Sequence, residues 1–243
     1  MVCGLCGNER PLIKAHIIPE GFFRVFREGA CPPELHTNRR GAYPKRAPIG
    51  VYDKTILCAS CDNSFSPWDN HAQKVLLHEF SDANAIRAGS ATVGWQIEVF
   101  DYHALKLFFI SLLWRASISN HEFYRRVSVG AFEDELRHMI TNQEPGDAEA
   151  FAVTLARFDN PAVTGMLDPH LERYEGINYC RFYLAGFVAY VKVDHRAPPE
   201  FLRDFVLRDG APIVVLARSA SGSKDTVVMR DIAQAALKAK RGG

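Results

Sequence analysis

The sequence predicts an α+β protein in two parts. A cysteine-bearing finger covers about residues 1–80, and an α+β domain covers 90–243, with a helical layer on a mostly antiparallel sheet. Three observations lead there. Two C-x-x-C pairs, Cys3/Cys6 and Cys58/Cys61, bracket the first part. A strongly apolar run after Asp101 places Leu105, Phe108, Phe109, Leu112 and Leu113 at helical spacing. From Ala150 onward the pattern changes to the alternation of half-buried strands.

With 243 residues, 47% of them hydrophobic, the chain has ample material for a core. Its 29 Lys and Arg nearly balance its 28 Asp and Glu, so net charge nominates no partner and any nucleic-acid surface must be local. The stretch Met1-Val2-Cys3-Gly4-Leu5-Cys6 lacks the basic-then-apolar pattern of an export signal. Leu105 to Trp114 is too short for a membrane span and contains Lys106, so it reads as a buried helix and no membrane partner is expected. A cytoplasmic location follows as the expectation. In that reducing setting paired cysteines hold metal more often than they form disulfides.

The elements follow in order. Residues 1–80 carry five of the six cysteines. From Cys31-Pro32-Pro33 to Pro48, dense turn formers without apolar periodicity predict a long loop. Asp69 is placed to cap a helix running to about Phe80, and Thr92 to Phe100 reads as a strand. Asp101 caps the apolar helix to about Ile118, and helices near 121–127 and 131–142 end before Pro145-Gly146. Strands are expected at Phe151–Phe158, Asn178–Leu184, Phe187–Val193 and Ile213–Ala217, with a hairpin or bulge at Gly186. A short basic-ended helix covers Asp231 to Lys240.

A C-x-x-C turn brings two thiolates to one tetrahedral metal, and a second such turn completes the shell, so Cys3, Cys6, Cys58 and Cys61 predict a structural zinc ion. Gly4 within the first turn and Gly7 just after it suit a tight knuckle. Cys58-Ala59-Ser60-Cys61 follows an apolar strand-like run and can open a helix, whose N-terminus favours thiolate. Roughly fifty residues separate the pairs, which points to two half-sites with an insertion between them. Cys31 and Cys180 lack a partner motif and read as buried thiols.

Between the pairs stand Lys14-Ala15-His16-Ile17-Ile18-Pro19 and, just ahead of Cys58, Asp53; Asp62 and Asn63 follow Cys61. Over about residues 3–72 the order C-x-x-C, H-I-I-P, L-C-x-x-C resembles the zinc-containing HNH (ββα-metal) endonuclease superfamily. The resemblance implies a treble-clef finger. It makes His16 the general base that activates water against a phosphodiester and puts Asp53 where the family has the asparagine that orients that histidine. Asp62 or Asn63 would be a ligand on the helix for a catalytic Mg²⁺ or Mn²⁺. A histidine titrating near neutrality suits proton removal, a carboxylate partner would fix its tautomer, and a divalent cation would polarise the phosphate. The chain departs from the pattern at Ala15, where the family has an acidic residue or histidine, and at Asp53 and Asp62-Asn63. Asp69 and His71 are possible further ligands. Asp69 reads first as a helix cap.

Arg39, Arg40, Lys45, Arg46 and Lys54 lie within twenty residues that contain one acid, Asp53, with Tyr43 among them. Such a cluster beside His16 would attract phosphates, and an aromatic could stack on unpaired bases. Beyond residue 90 no catalytic constellation is visible. Trp114-Arg115 is a candidate buried ion-pair site, while Asp168-Pro169-His170 and Asp194-His195-Arg196 read as turns. That part is expected to serve specificity, regulation, or contact with a second copy or a partner protein. The leading expectation is a metal-dependent HNH-like endonuclease acting on DNA, or RNA, in a phage-defence or mobile-element setting. Two alternatives stay open: a non-catalytic zinc module binding nucleic acid or protein, and a toxin whose nuclease head is controlled by the second part.

Overall fold

The computed structural model describes residues 1–26, 34–35, 45–47, 49–163 and 165–241, with only the backbone described at 34, 35, 45, 46 and 235–241. After the first cysteine pair come β1 (Ala15–His16), α1 (Glu20–Arg24), β2 (Glu34–Leu35), β3 (Lys45–Arg46) and β4 (Tyr52–Asp53). Two short helices follow, α2 (Ala59–Ser64) and α3 (Ser66–Gln73). Then come β5 (Ala85–Ala88), β6 (Ala91–Ile97), α4 (Tyr102–Ile118) and α5 (Glu133–Asn142). The chain continues through β7 (Val153–Phe158), β8 (His170–Tyr174), β9 (Ile177–Leu184), β10 (Phe187–Lys192), α6 (Glu200–Arg203), β11 (Ile213–Arg218) and α7 (Lys224–Arg241).

The architecture is α+β. Seven strands form one sheet in the order β5-β6-β11-β7-β10-β9-β8, antiparallel except for the β11–β7 pair. β9 and β10 are joined by a two-residue turn, Ala185-Gly186, with φ of 52° and 94°. Positive φ at both positions is what a tight hairpin twisted like its strands requires, and Gly186 supplies one of them without strain.

α4 starts where the Asp101 side chain accepts from Ala104 N at 3.0 Å. It is buried on every side from Leu105 to Ala116 because it packs against α3, α5 and β10 at once. A helix surrounded in this way must be apolar all round. One continuous apolar cluster runs from Cys3, Phe22, Leu57 and Phe65 through α4 to Leu155, Phe182 and Val215, so the finger and the sheet share a core. A second cluster, with Phe158, Tyr179, Tyr183 and Tyr190, lies on the other sheet face and has Met229 of α7 packed on it. Asp225 ties that helix down by accepting from Arg181 at 3.0 Å and from Arg218 at 2.6 Å.

Several expectations are corrected. Asp69 lies inside α3, not at its start, because helix begins directly at the second cysteine pair. The expected loop between Cys31 and Pro48 contains an antiparallel ribbon, Glu34–Leu35 against Lys45–Arg46. Only one 3-10 turn, Glu122–Tyr124, forms where a helix near 121–127 was expected, since Phe123 and Tyr124 anchor that segment by burial. Asp168-Pro169-His170 leads into β8, and the C-terminal helix begins at Lys224. His195 is paired with Glu135 at 2.8 Å. No helix among the described residues is long and apolar enough to cross a membrane.

α4 carries two fully enclosed cations. Lys106 Nζ donates to the carbonyls of Ala150 (2.8 Å), Phe151 (2.9 Å) and Ala148 (3.4 Å). Burial, with the charge of Lys192 nearby, pulls its pKa down to about 7. The unfolded chain therefore binds this proton more readily than the folded one between about pH 7 and 10, so stability gained above that window is lost as pH falls through about 7. The urea midpoint of the metal-loaded chain is expected to rise between pH 7 and pH 9, and Lys106→Met should flatten that slope; equal slopes in the two chains would refute the assignment.

Candidate metal and nucleic-acid site

Gly7 has φ of 70°, which closes the first cysteine turn, and Gly7 N donates to Cys3 O at 2.9 Å. The second pair sits at a helix start: Cys58 is the N-cap of α2, and Cys61 lies in its first turn. Gly4 N donates to Ile56 O, and Cys58 N donates to the Cys3 sulfur at 3.4 Å, so backbone bonds hold the two turns together.

The four sulfurs of Cys3, Cys6, Cys58 and Cys61 lie within 4.8 Å of one another, close enough to hold a metal ion. Sulfurs bound tetrahedrally to zinc stand about 3.8 Å apart, so the donor set and the spacing both fit such an ion. The Ser60 hydroxyl and the Cys61 backbone hold the Cys58 thiol down to about 6, whereas burial among the other three sulfurs pushes Cys61 well up. Four thiolates cannot share this space without a cation to offset their repulsion.

β1 and β4 pair as Ala15 opposite Asp53 and His16 opposite Tyr52. Directly paired residues share a face, so the register separates two sets of side chains. Ala15 and Asp53 face inward and are buried. His16 and Tyr52 face outward, their rings edge-to-face at 6.0 Å. Lys14 and Lys54, two residues along each strand, stand 5.2 and 5.9 Å from the Tyr52 ring centre and are exposed.

Asp53 thus does not orient His16. One of its carboxylate oxygens accepts from Thr55 N and Oγ1, and the other accepts from Ser119 Oγ, Asn120 N and His121 N. Burial alone would raise its pKa, but these donors hold it below the ordinary carboxylate range. Its work is to fasten β4 to the end of α4. His16 is held instead by Ile49, whose carbonyl is 2.9 Å from Nε2. A carbonyl only accepts, so Nε2 carries the proton and a neutral ring has its lone pair on Nδ1.

Asp62 is half-buried on α2, and its carboxylate has no hydrogen-bond or ion-pair partner among the described residues. Burial raises its pKa, while the charges of Arg115 and His16 draw it down and that of Asp69 pushes it up, so His16, Asp62, Asp69 and Arg115 form one electrostatic group. Asn63 is exposed beside it. Asp69 is an anchor: it accepts from the Arg115 fork at 2.8 and 3.1 Å. His71 Nε2 accepts from Asp101 N at 3.0 Å and so ties α3 to the start of α4. Among the described residues, the four cysteines are the one group of three or more ligand-bearing side chains clustered closely enough for a metal. Arg39, Arg40 and Tyr43 lie outside the described residues, as do the side chains of Lys45 and Arg46.

Sequence reading missed Lys14, Tyr52 and the Ile49 carbonyl. The first two were signalled by alternation, since Lys14 and His16, and Tyr52 and Lys54, are each two apart. Compared with known proteins, the chain matches no family model, no curated protein and no solved structure.

Two outcomes test this geometry. The purified chain should carry about one equivalent of a thiophilic divalent metal by elemental analysis, and Cys3→Ser or a chelator should lower the thermal midpoint by about 10 °C or more; a metal-free chain of unchanged stability would contradict the site. Asp69→Ala leaves the Arg115 charge buried and unpaired, at an expected cost of about 3–5 kcal/mol in urea unfolding. The double variant Asp69→Leu/Arg115→Met should recover part of that loss, and additive losses would refute the pairing.

Proposed function

We propose that the N-terminal segment is a zinc-bearing treble-clef finger of the HNH type, and that the chain hydrolyses phosphodiester bonds in nucleic acid, DNA in preference to RNA. The observation that carries this reading is the state of His16. Its Nε2 is committed to the Ile49 carbonyl, its Nδ1 is left as the basic atom, and Lys14 and Lys54 flank it on one face. Zinc suits four thiolates in tetrahedral array and would act as scaffold only, with every position of its shell filled by protein.

On this reading, Lys14 and Lys54 attract the phosphate backbone, and the Nδ1 lone pair of His16 takes a proton from the attacking water. Asp62, the free carboxylate of the group, supplies the protein ligand for a divalent cation such as Mg²⁺ or Mn²⁺. Such a cation would stabilise charge on the phosphate and the leaving oxygen. Arg115 and Asp69 act by position: Arg115 Nη1 donates to the His16 carbonyl at 2.9 Å, which fixes the strand that presents the ring.

A second reading has its own support. Ala15 is buried where the family places a ligand, and Asp53 is committed to structural bonds. Those two features favour a zinc module that binds nucleic acid without cutting it.

Incubation of the full chain with Mg²⁺ or Mn²⁺ and plasmid, single-stranded DNA or RNA separates the two. Cleavage reduced about 100-fold or more by His16→Ala supports the enzyme. Salt-dependent binding without cleavage, weakened by Lys14→Ala and Lys54→Ala with the salt slope reduced by about 1 for each, supports the binding module. A chain that neither cuts nor binds any of the three substrates refutes both.

A further inference from the structure

A cleft of about 200 Å³ opens at the carboxyl end of β7 and is lined by Asp82, Arg87, Thr92, Trp95, Arg157 and Asp159 among others, with no cysteine in its wall. It lies beside the β7–β11 pair, the one parallel pair in the sheet.

The arginine at its centre is built in an unusual way. The Arg157 guanidinium stacks on two aromatic rings, 4.4 Å from the centre of Phe80 and 4.8 Å from that of Phe187. Those rings meet edge-to-face at 5.0 Å, and Phe80 also packs edge-to-face on Trp95. The clamp fixes the plane of a half-buried cation in advance of any ligand. Yet none of its N–H donors has a hydrogen-bond or ion-pair partner among the described residues.

The nearby acids each accept a hydrogen bond from another residue, and the charge of Asp82 acts on Arg157 from beyond ion-pair distance. Asp82 Oδ1 accepts from Trp95 Nε1 at 3.1 Å, and Asp159 Oδ1 accepts from Ala220 N at 2.8 Å. Neither is within ion-pair distance of Arg157. A second cation is aimed at the same space. The β5–β6 register shifts between Ile86 and Arg87, where Arg87 joins the lining, and a bulge of this kind turns a side chain out of its regular direction. Arg87 is exposed, and its side chain has no hydrogen-bond or ion-pair partner among the described residues.

We propose that this cleft binds the oxyanion group of a small ligand, a phosphate or a carboxylate, with the stacked Arg157 fork as its main donor and Arg87 and Thr92 completing the contact. A planar fork with unspent donors matches two oxygens of such a group, and stacking has already removed much of the ordering cost. The cleft is too small for a polymer and suits a ligand of a few heavy atoms around the anion. This site is independent of the finger and of the nuclease reading.

The test is calorimetric titration of the metal-loaded full chain with inorganic phosphate and, separately, malonate, at ionic strength held constant with chloride. One saturable site is expected for at least one probe, and which probe binds more tightly identifies the oxyanion. Arg157→Ala should weaken it at least tenfold, Arg157→Lys should weaken it too because an ammonium lacks the fork, and His16→Ala should leave it unchanged. Arg87→Ala touches no core contact and decides the matter if Arg157→Ala fails to fold; a loss of affinity supports the site. Absence of saturable binding for both probes, or affinity unaltered in the arginine variants, overturns the proposal.

Discussion

Arg115 is the point through which the finger and the rest of the molecule are joined. Its side chain is 1% exposed and, from the last turn of α4, reaches α3, β1 and the preceding turn of its own helix. The fork is paired with Asp69 of α3, one nitrogen also reaches the His16 carbonyl on β1, another reaches Ser111 on its own helix, and the plane lies 4.6 Å from the Phe65 ring. A guanidinium in that position is costly unless every donor is used and its charge is matched. Meeting that demand fixes where α3 and β1 sit on α4. The position of His16 is therefore set by a residue about one hundred positions away in sequence.

The same logic explains why the finger has no independent interior. Cys3, Phe22, Leu57 and Phe65 belong to the apolar cluster that contains α4 and the inner face of the sheet. Phe22 stacks on Phe108 at 6.1 Å, and Asp53 closes the far end by gathering donors from the turn after α4. Four cysteines gather at the tip, while burial on α4 and the carboxylates of Asp53 and Asp69 hold the base. The outer face of β1 and β4 carries His16 and Tyr52, which lie outside the apolar cluster.

Much of this was legible in the chain. The cysteine spacing defined the four-cysteine cluster, because short C-x-x-C turns leave few other geometries. Asp101 and the apolar run gave α4 its start and end at Tyr102 and Ile118. The Phe187 strand and the turn at Gly186 were readable from alternation and a residue that tolerates positive φ. β8 was missed although Glu175-Gly176 marks its hairpin turn, with φ of 46° and 79°. The opening of a helix at Cys58 was readable too; that α3 starts ahead of Asp69 was not, because Asp69 by itself carries the usual polar capping signal.

What sequence alone determined is the four-cysteine cluster, the α+β class and the position of His16 on a strand, all consequences of local spacing and periodicity. Which side chain faces His16 was decided only in three dimensions. Register put Asp53 on the opposite face, where it binds the end of α4, and helix packing brought Asp62 of α2 and Asp69 of α3 into electrostatic reach of the ring. Pairing register and the demand of a buried Arg115 for a carboxylate are long-range facts, and no short motif encodes them.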